Sequence, residues 1–389
     1  MRRSIQLTKV LILIALASSL TGCWDKIEIE DRMIIGNICI DSLQEDVPKG
    51  TELDFIEKGE KKKYLISFTA AVPGNIKENK SPAYKTYSTT ANNIGMANWQ
   101  VMKRYSQVQY FGHAKTITFG EDTLKSAECL KSLLDSFIRG HDYNKSMDVY
   151  VMEGRADKIV EVVPKFSNYL VAYITGISQN QKYVSTIQRS SLDQLIRNLV
   201  NSDGDAIMPK IAATKEEVKI GGGGILKDYV LVGYLDDAQS RALGWIDGDA
   251  KGGMIEIKIK GAPITFRFYD FNTKMKLDKV EKGKLYISYN MEVEGNIEEY
   301  ILGQSFMDEA ILRECESLIQ KQIQDDSMEV IQVLQKKYKV DLIKVRDYLS
   351  KYQPAVYDQI KEDFDNYYTD NIVLNVNTKV KVRRVGTMR

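Results

Sequence analysis

The 389-residue chain is poor in histidine and cysteine, the two residue types that most often bind transition metals in proteins. It has two histidines, His113 and His141, and four cysteines, which stand at positions 23, 39, 129 and 315. No CxxC or HxxxH spacing occurs among them, although zinc ligands are normally grouped in this way. The sequence therefore predicts no metal site built on imidazole or thiolate, and we expect no cofactor.

The chain also lacks an excess of either charge, since 54 Lys and Arg residues stand against 53 Asp and Glu residues. A formal charge of +1 supplies no basic surface field of the kind that nucleic-acid binding needs, so no nucleic-acid partner is expected. With 28% charged and 43% hydrophobic residues, the composition is typical of a folded soluble protein. The length predicts two or three domains, each large enough to bury a core without disulfide or metal support.

The N-terminal apolar run is too short to cross a bilayer as a helix. It covers residues 10–20 (VLILIALASSL), whereas a membrane-spanning helix needs about 20 apolar residues. Three basic residues precede it, as in secretory signal peptides: Arg2, Arg3 and Lys9. The sequence therefore predicts a signal peptide and export.

The signal peptide ends in a pattern that resembles a bacterial lipobox: Leu20, Thr21, Gly22 and Cys23. Small residues before the cysteine allow the extended backbone to enter a peptidase, and the cysteine sulfur would take a diacylglyceryl group. We predict a lipoprotein signal peptide in residues 1–22 and a lipid anchor at Cys23 in the membrane. Two acyl chains suffice for stable anchoring, because each buried methylene contributes about 0.8 kcal/mol. The alternative is an uncleaved membrane anchor in which Cys23 is incidental.

Removal of residues 1–22 would take away three positive charges and leave 51 basic against 53 acidic residues, a net charge of −2. Three cysteines would then remain as thiols. Cys39 lies in an apolar run and Cys129 in a helical pattern, so both are expected to pack as small hydrophobic side chains. We expect no structural disulfide among Cys39, Cys129 and Cys315.

Hydrophobic periodicity predicts an α+β fold with several domains, in which mostly antiparallel mixed sheets pack against helices. The best linker in the chain is the cluster of turn-forming residues at 201–205 (NSDGD). It divides the mature chain into an N-terminal domain at 23–202, with room for two subdomains, and a C-terminal domain at 203–389. The latter is expected to contain an antiparallel sheet and a long helix.

The N-terminal half is predicted to alternate between strands and helices. The strands are predicted at 33–40, 63–72, 108–119 and 148–152, and the helices at 91–105, from 124 onward, at 156–163 and at 191–200. The C-terminal half runs from strand to strand, at 206–214, 218–226, 229–234, 254–259, 264–269 and 284–294. It then turns helical over 303–337, with Asp325 and Asp326 as a candidate break, and over 341–352, before a final strand at 371–385.

The candidate chemistry is sparse. Four consecutive glycines at 221–224 fit neither GxGxxG nor GxxxxGK[ST] and precede a hairpin, so a turn or bulge is favoured over a phosphate-binding loop. His113 could act as a general base, but no GxSxG or other nucleophile motif accompanies it, which favours a hydrogen-bonded structural role. His141 is expected in a loop. We assign no catalytic residue and predict that the chain is not an enzyme.

Two acidic pairs and one aromatic cluster are further candidates. Asp236 with Asp237, and Asp325 with Asp326, are expected in turns or at helix starts, where aspartate caps backbone N–H groups. The segment 364–368 (FDNYY) is the aromatic cluster that we expect to be exposed as a partner contact, because tyrosine supplies a large contact area at low entropic cost.

Several segments, taken together and in order, resemble one family. The mature chain opens with CWDKIEIEDR and then IIGNICID, followed by VQYFGHAKTITFG at 108–120 and LLDSFIRGHDYNKSMDVYVMEGRADKIVEV at 133–162. GGGGILKDYVLVGYLDDAQSRALGWIDG at 221–248 and NIVLNVNTKVKVRRVG at 371–386 complete the set. These segments are similar to those of the Ger(x)C family, the C subunits of nutrient germinant receptors in endospore-forming bacteria. The resemblance covers nearly the whole chain, with departures at 140–144 and in the loop 43–62.

The resemblance implies a non-enzymatic lipoprotein, held by Cys23 on the outer face of the spore inner membrane. Such a subunit would assemble with two integral membrane subunits, one of them similar to transporters, and would be required for the germination response to nutrients. The implied fold is a multidomain mixture of helices and mostly antiparallel sheets. The alternative is a solute-binding lipoprotein of an ABC transporter. Its α/β lobes would need parallel sheets, whereas residues 206–294 run strand after strand with short turns.

Overall fold

Two mixed β-sheets organise the chain in the computed structural model. It describes residues 27–43, 63–140, 142–185, 189–248, 250–259, 261–300 and 309–385. Three features that the sequence analysis singled out lie outside the described residues: the signal peptide with Cys23, nearly all of the loop at 43–62, and His141.

The first sheet has nine strands. They are β1 (Arg32–Ser42), β2 (Tyr64–Ala71), β3 (Tyr84–Ala91), β4 (Val108–Tyr110), β5 (Thr116–Gly120), β6 (Asp148–Met152), β7 (Ala206–Ala213), β8 (Val218–Lys227) and β9 (Val230–Leu235). Their order is β3-β2-β1-β5-β6-β7-β8-β9, and β4 pairs with the start of β1. The four central strands, β1, β5, β6 and β7, run parallel to one another, while the strand pairs at both ends of the sheet are antiparallel.

The second sheet has four strands, which are neighbours in chain order. They are β10 (Gly253–Ile259), β11 (Ala262–Glu281), β12 (Lys284–Tyr300) and β13 (Ile372–Val385). Across both sheets, six of the eleven strand pairings in the described ranges are antiparallel. The predicted α+β class with mixed, mostly antiparallel sheets is confirmed.

Helices cover the faces of both sheets. In the described residues they are α1 (Pro73–Lys77), α2 (Ile94–Met102), α3 (Glu121–Leu124), α4 (Ala127–Arg139), α5 (Leu170–Val184), α6 (Leu192–Asn201), α7 (Asp237–Ile246), α8 (Glu309–Gln332), α9 (Val345–Tyr352), α10 (Pro354–Ile360) and α11 (Phe364–Asn371). Short 3₁₀ helices lie at Ile29–Asp31, Ala156–Glu161 and Lys361–Asp363, and α8 continues as a π-helix over Val333–Tyr338.

Local sequence explains where these helices begin and which face they bury. The Ser126 side chain caps α4 by accepting from Cys129 N, and a capping box of Ser191 and Gln194 starts α6. The apolar residues of α4 recur at helical spacing and are buried against the first sheet: Leu130, Leu133, Leu134 and Phe137. The burial of each of these large side chains contributes about 1.5–3 kcal/mol to the packing of this layer.

The core of the second sheet forms between β11, β12 and two helices. Ile264, Phe266 and Phe268 alternate along one face of β11 and are fully buried. From α7, Trp245 stacks on Phe271 with ring centroids 5.7 Å apart and is 0% exposed. The long helix α8 covers the same core with Cys315, Ile319 and Ile323.

Two predicted elements differ from the structure, and some observed elements were not predicted. The single strand predicted at 108–119 is divided into β4 and β5 by a turn at Gly112 and His113, closed by a hydrogen bond from Ala114 N to Phe111 O of 2.9 Å. The helix over 303–337 continues through Asp325 and Asp326 without a break in its described part. The sequence pattern predicts neither β3 nor α5.

The predicted domain boundary falls between α6 and β7. Because β7 pairs with β6, the first sheet continues across this position as far as β9. The division into domains at 23–202 and 203–389 stays a prediction. None of the helices in the described ranges combines the length and the apolar character that a membrane span requires.

Candidate functional site

A polar cleft lies where α5, α6 and α7 approach one another, and Arg189 stands at its centre. Three adjoining cavities of about 390, 300 and 340 Å³ are all lined by Arg189, so we name this feature the Arg189 cleft. Cavities that bind small ligands have volumes of about 300–1,000 Å³ and often lie between packed units. The Arg189 cleft is therefore the candidate contact site of the described chain.

One wall of the Arg189 cleft is a buried carboxylate held by an exposed guanidinium. Asp148 is 1% exposed, and its Oδ1 accepts a hydrogen bond of 2.6 Å from Nε of Arg189. Its Oδ2 accepts from Ser178 Oγ at 3.0 Å and from the hydroxyl of Tyr150 at 3.4 Å. A buried carboxylate needs such partners, because an unpaired charge in the interior is costly. Burial, and then the charge of Asp148, raises the pKa of Tyr150 above its usual range.

The backbone around Asp148 fixes this wall. Asp148 N donates to Lys115 O at 2.8 Å, and Val149 N donates to Ser190 O at 2.9 Å. An isolated bridge also joins Asp148 to Ser191, the N-cap of α6. The segment that carries Arg189 is thereby tied to the start of β6, which places the guanidinium over the carboxylate.

The chamber between α5 and α7 is lined by hydrogen-bonding and cationic groups. Lys182 of α5 and Lys251 are exposed at its rim, and neither has an ion-pair partner in the described part of the chain. Ser240 of α7 is buried, and its Oγ has no hydrogen-bond partner in the described structure. These groups suit the binding of a polar partner group, because buried hydroxyls are normally satisfied.

The neighbouring chamber, toward α9, carries carboxylates that the fold already uses. The carboxyl oxygens of Asp341 accept from Val345 N at 3.1 Å and Arg346 N at 2.6 Å. Asp247 pairs with Lys344 at 3.3 Å. Loss of hydration raises the pKa of Asp341 to about 6, against the effect of the two backbone hydrogen bonds. These acidic groups support the loop that begins α9.

A second buried carboxylate, Asp41, ends the strand β1. Its oxygens accept from Ala156 N at 2.6 Å and Asp157 N at 2.9 Å, so it caps the 3₁₀ helix at Ala156–Glu161. Burial raises the pKa of Asp41 to about 6, although the hydrogen bond from Ala156 opposes this. A Cβ at Gly120 would lie 2.1 Å from Asp41 Oδ1, so glycine is needed for this close approach. The group has a structural role that the sequence pattern did not reveal.

The residues proposed from sequence as chemical candidates lie elsewhere. His113 is exposed in the turn after β4, with its ring edge-on to Tyr110 at 5.4 Å, and does not line the Arg189 cleft. Asp236 is the N-cap of α7 and accepts from Gln239 N at 2.8 Å, which confirms its predicted capping role. Asp326 lies in the middle of α8 and accepts from Gln322, so the prediction of a turn or helix start there is wrong.

Gly221 and Gly222, the first two of the four glycines, form a bulge in β8, which confirms the interpretation as a turn or bulge. The register between β7 and β8 shifts between Pro209, which faces Gly223, and Ile211, which faces Ile220. Gly222 has φ +71, and a Cβ there would lie 2.6 Å from Leu235 O. The bulge therefore needs glycine for backbone geometry.

The prediction that residues 364–368 are exposed as a contact is wrong. Phe364 and Tyr368 are buried and stack with centroids 6.0 Å apart. Tyr367 is partly exposed and donates from its hydroxyl to Gly283 O at 2.5 Å. The spacing of four between Phe364 and Tyr368 is the signal for one buried helical face.

The three described cysteines are free, as predicted. Cys39 and Cys315 are buried, while Cys129 is partly exposed on α4. Burial raises the pKa of the Cys315 thiol to about 11, which makes it a poor nucleophile.

Sequence reasoning missed the residues that form the Arg189 cleft. The available signal was Asp148, a charged residue at the start of the otherwise apolar strand DVYVM. Such a residue needs a partner when the strand is buried. Its partner, Arg189, is 41 residues distant and has no local pattern that marks it.

Comparisons with known proteins define the class. The family model described as "Spore germination protein N-terminal domain" matches residues 25–213, and "Spore germination B3/ GerAC like, C-terminal" matches residues 221–386. The chain therefore belongs to the spore germination GerAC-like, or Ger(x)C, family, as its sequence segments indicated.

Curated relatives resemble the chain over nearly its whole length. "Spore germination protein YndF" of Bacillus subtilis (strain 168) is 25% identical over 99% of this chain and 98% of its own length. "Spore germination protein B3" of the same organism is 23% identical, covering 93% of this chain and 94% of its own length. The solved structure titled "Crystal Structure of the GerBC protein" has a TM-score of 0.58 at 20% identity, over 82% of this chain and 93% of that one. This structural likeness shows the fold alone, and none of these matches supports a solute-binding protein of an ABC transporter.

Proposed function

We propose that this chain is a non-enzymatic, lipid-anchored subunit of a nutrient germinant receptor. The observation that carries the proposal is the joint coverage of the chain by the two family models, which begins at residue 25, directly after the lipobox-like residues 20–23. In this proposal residues 1–22 are removed, and acylated Cys23 holds the protein on the outer face of the spore inner membrane.

In the proposed role, the chain acts by binding other proteins of the receptor. The chain assembles with two integral membrane subunits, one of them transporter-like, and the receptor needs it to respond to nutrients. The Arg189 cleft supports a contact role, because Ser240, Lys182 and the Asp148–Arg189 pair offer hydrogen bonds and charge. No described residue of the cleft forms a nucleophile–base pair of the kind that hydrolases use.

Metabolic labelling with radioactive palmitate tests the anchor. We expect label in the wild-type protein and none in Cys23→Ala, because the thiol is the proposed attachment point for the diacylglyceryl group. Cys129→Ala is the matched control, since Cys129 is the partly exposed cysteine of the described chain, and it should keep the full label. Label that persists in Cys23→Ala, or its absence from the wild type, would contradict the proposed anchor.

A further inference from the structure

Exposed apolar side chains gather at one end of the first sheet. They belong to two segments, one at the start of the described chain and one at the end of α2, and we name them the N-terminal apolar surface. Its members, with their exposed fractions, are Ile27 (40%), Ile29 (68%), Trp99 (51%), Met102 (52%) and Tyr105 (40%). Single exposed apolar residues are ordinary, whereas a group of large ones indicates an interaction surface.

Hydrogen bonds and strand pairing join the two segments. Gln107 Nε2 donates to Glu30 O at 3.0 Å, which ties the chain after α2 to the chain before β1. The parallel pairing of β1 with β4 begins with Arg32 opposite Val108. The guanidinium of Arg32 also lies 4.6 Å from the ring centroid of Tyr110. The end of α2 and the start of the described chain therefore occupy the same end of the sheet.

The proposed lipid anchor is close to this surface along the chain. Cys23 precedes Ile27 by four residues, and an extended chain covers at most about 3.3–3.6 Å per residue. The Cα atom of Cys23 is thus within about 14 Å of that of Ile27. An anchor this short holds the N-terminal apolar surface next to any bilayer that takes up the acyl chains.

The composition of the surface fits the interface between lipid and water. Tryptophan and tyrosine concentrate at the headgroup level of membranes, and lysine places its charge in water while its stem covers apolar groups. Lys103 Nζ itself lies 3.2 Å from the ring centroid of Trp99, a cation–π contact that places a charge beside the indole, as at the polar headgroup level. The charges near this surface balance, since Glu30 and Asp31 stand against Arg32 and Lys103. These residues therefore give no net attraction to anionic lipid.

We propose that the N-terminal apolar surface contacts the lipid bilayer, with Ile27, Ile29, Trp99, Met102 and Tyr105 in the headgroup region beside the anchor. This inference rests on the proposed anchoring at Cys23. The contact fixes the orientation of the body, because a surface spread over two segments adds a second attachment to the proposed lipid anchor. It is apolar in character, so it depends little on salt or on anionic lipid.

A polarity-sensitive fluorophore on position 102 tests the inference in the full acylated protein on phosphatidylcholine vesicles. The variant is Met102→Cys in a Cys129→Ala background, since Cys39 and Cys315 are buried. Val163→Cys is the matched control. Val163 is 53% exposed. Its backbone N–H donates a hydrogen bond to Lys215 O, just beyond the end of β7. It therefore lies at the end of the parallel strands that is opposite to the N-terminal apolar surface.

We expect lipids brominated on the acyl chain to quench the probe at 102 several-fold more than the probe at 163, with little change when phosphatidylglycerol or salt is added. Equal, weak quenching at both sites on vesicle-bound protein would overturn the proposed surface and leave the anchor intact. Failure of the acylated protein to bind vesicles at all would instead overturn the proposed anchor, and the surface with it.

Discussion

Spores that lack this chain are expected to lose their response to a nutrient germinant, while germination by a non-nutrient route continues. The reason is that, in the proposed role, the receptor signals only when this chain is assembled with its two membrane subunits. Spores whose only copy is Cys23→Ala should show the same defect. Loss of the acyl chains removes about 0.8 kcal/mol per buried methylene, so even two methylenes exceed the 1.4 kcal/mol that corresponds to a tenfold change in membrane binding.

The measurement is the loss of optical density of a spore suspension after addition of the nutrient, with a non-nutrient trigger in parallel. Spores with Cys129→Ala are the control and should germinate at the wild-type rate, because that thiol lies on α4 and carries no lipid in this account. A normal nutrient response in the deletion strain would count against the receptor role. A normal response in Cys23→Ala alone would count against the need for the anchor.

The Arg189→Ala protein is expected to be less stable than the wild type by about 2–3 kcal/mol. The substitution leaves the Asp148 carboxylate buried with the hydroxyls of Ser178 and Tyr150 as its remaining side-chain donors. An uncompensated buried charge costs about 3–5 kcal/mol, and we expect a smaller loss of about 2–3 kcal/mol here because water reaches the half-exposed guanidinium position. Urea unfolding followed by tryptophan fluorescence measures the change in the free energy of unfolding.

Two further variants separate charge from packing. Arg197→Ala removes a nearby arginine whose ion pair with Asp193 is exposed on both sides, so it should cost at most about 0.5 kcal/mol. In the double variant Arg189→Ala with Asp148→Asn, the buried charge is absent, and we expect part of the lost stability to return. Equal losses for Arg189→Ala and Arg197→Ala would show that Asp148 does not depend on its partner.

Elements with a clear hydrophobic period were predictable from the sequence. The strand β6 lies at its predicted bounds, and α4 and α6 have the apolar faces that their spacing indicated. β3 was missed because its residues, YKTYSTTA, are largely polar, and α5 because its apolar residues do not continue along the whole helix. The turn at Gly112 was hidden in a run of β-forming residues, where local propensity continues the strand.

The candidate site was far less predictable than the fold. The Asp148–Arg189 pair and the carboxylate of Asp41 are defined by partners 41 and 115 residues away, and no local pattern contains such pairings. For the aromatic cluster at 364–368, a local pattern was available but was misinterpreted. The tyrosine-rich composition suggested an exposed contact, whereas the spacing of Phe364 and Tyr368 indicated one buried helical face. The lipid anchor at Cys23 stays a prediction, and the sequence marked it because the proposed chemistry depends on adjacent residues.

Purification of the tagged chain from detergent-solubilised spore membranes, followed by identification of the proteins that accompany it, tests whether the chain is a subunit of a germinant receptor. We expect the chain to be recovered from the membrane fraction together with two integral membrane proteins in comparable amounts, one of them transporter-like. Recovery of the chain alone from the soluble fraction, or together with the permease of an ABC transporter, would contradict its role as a germinant receptor subunit.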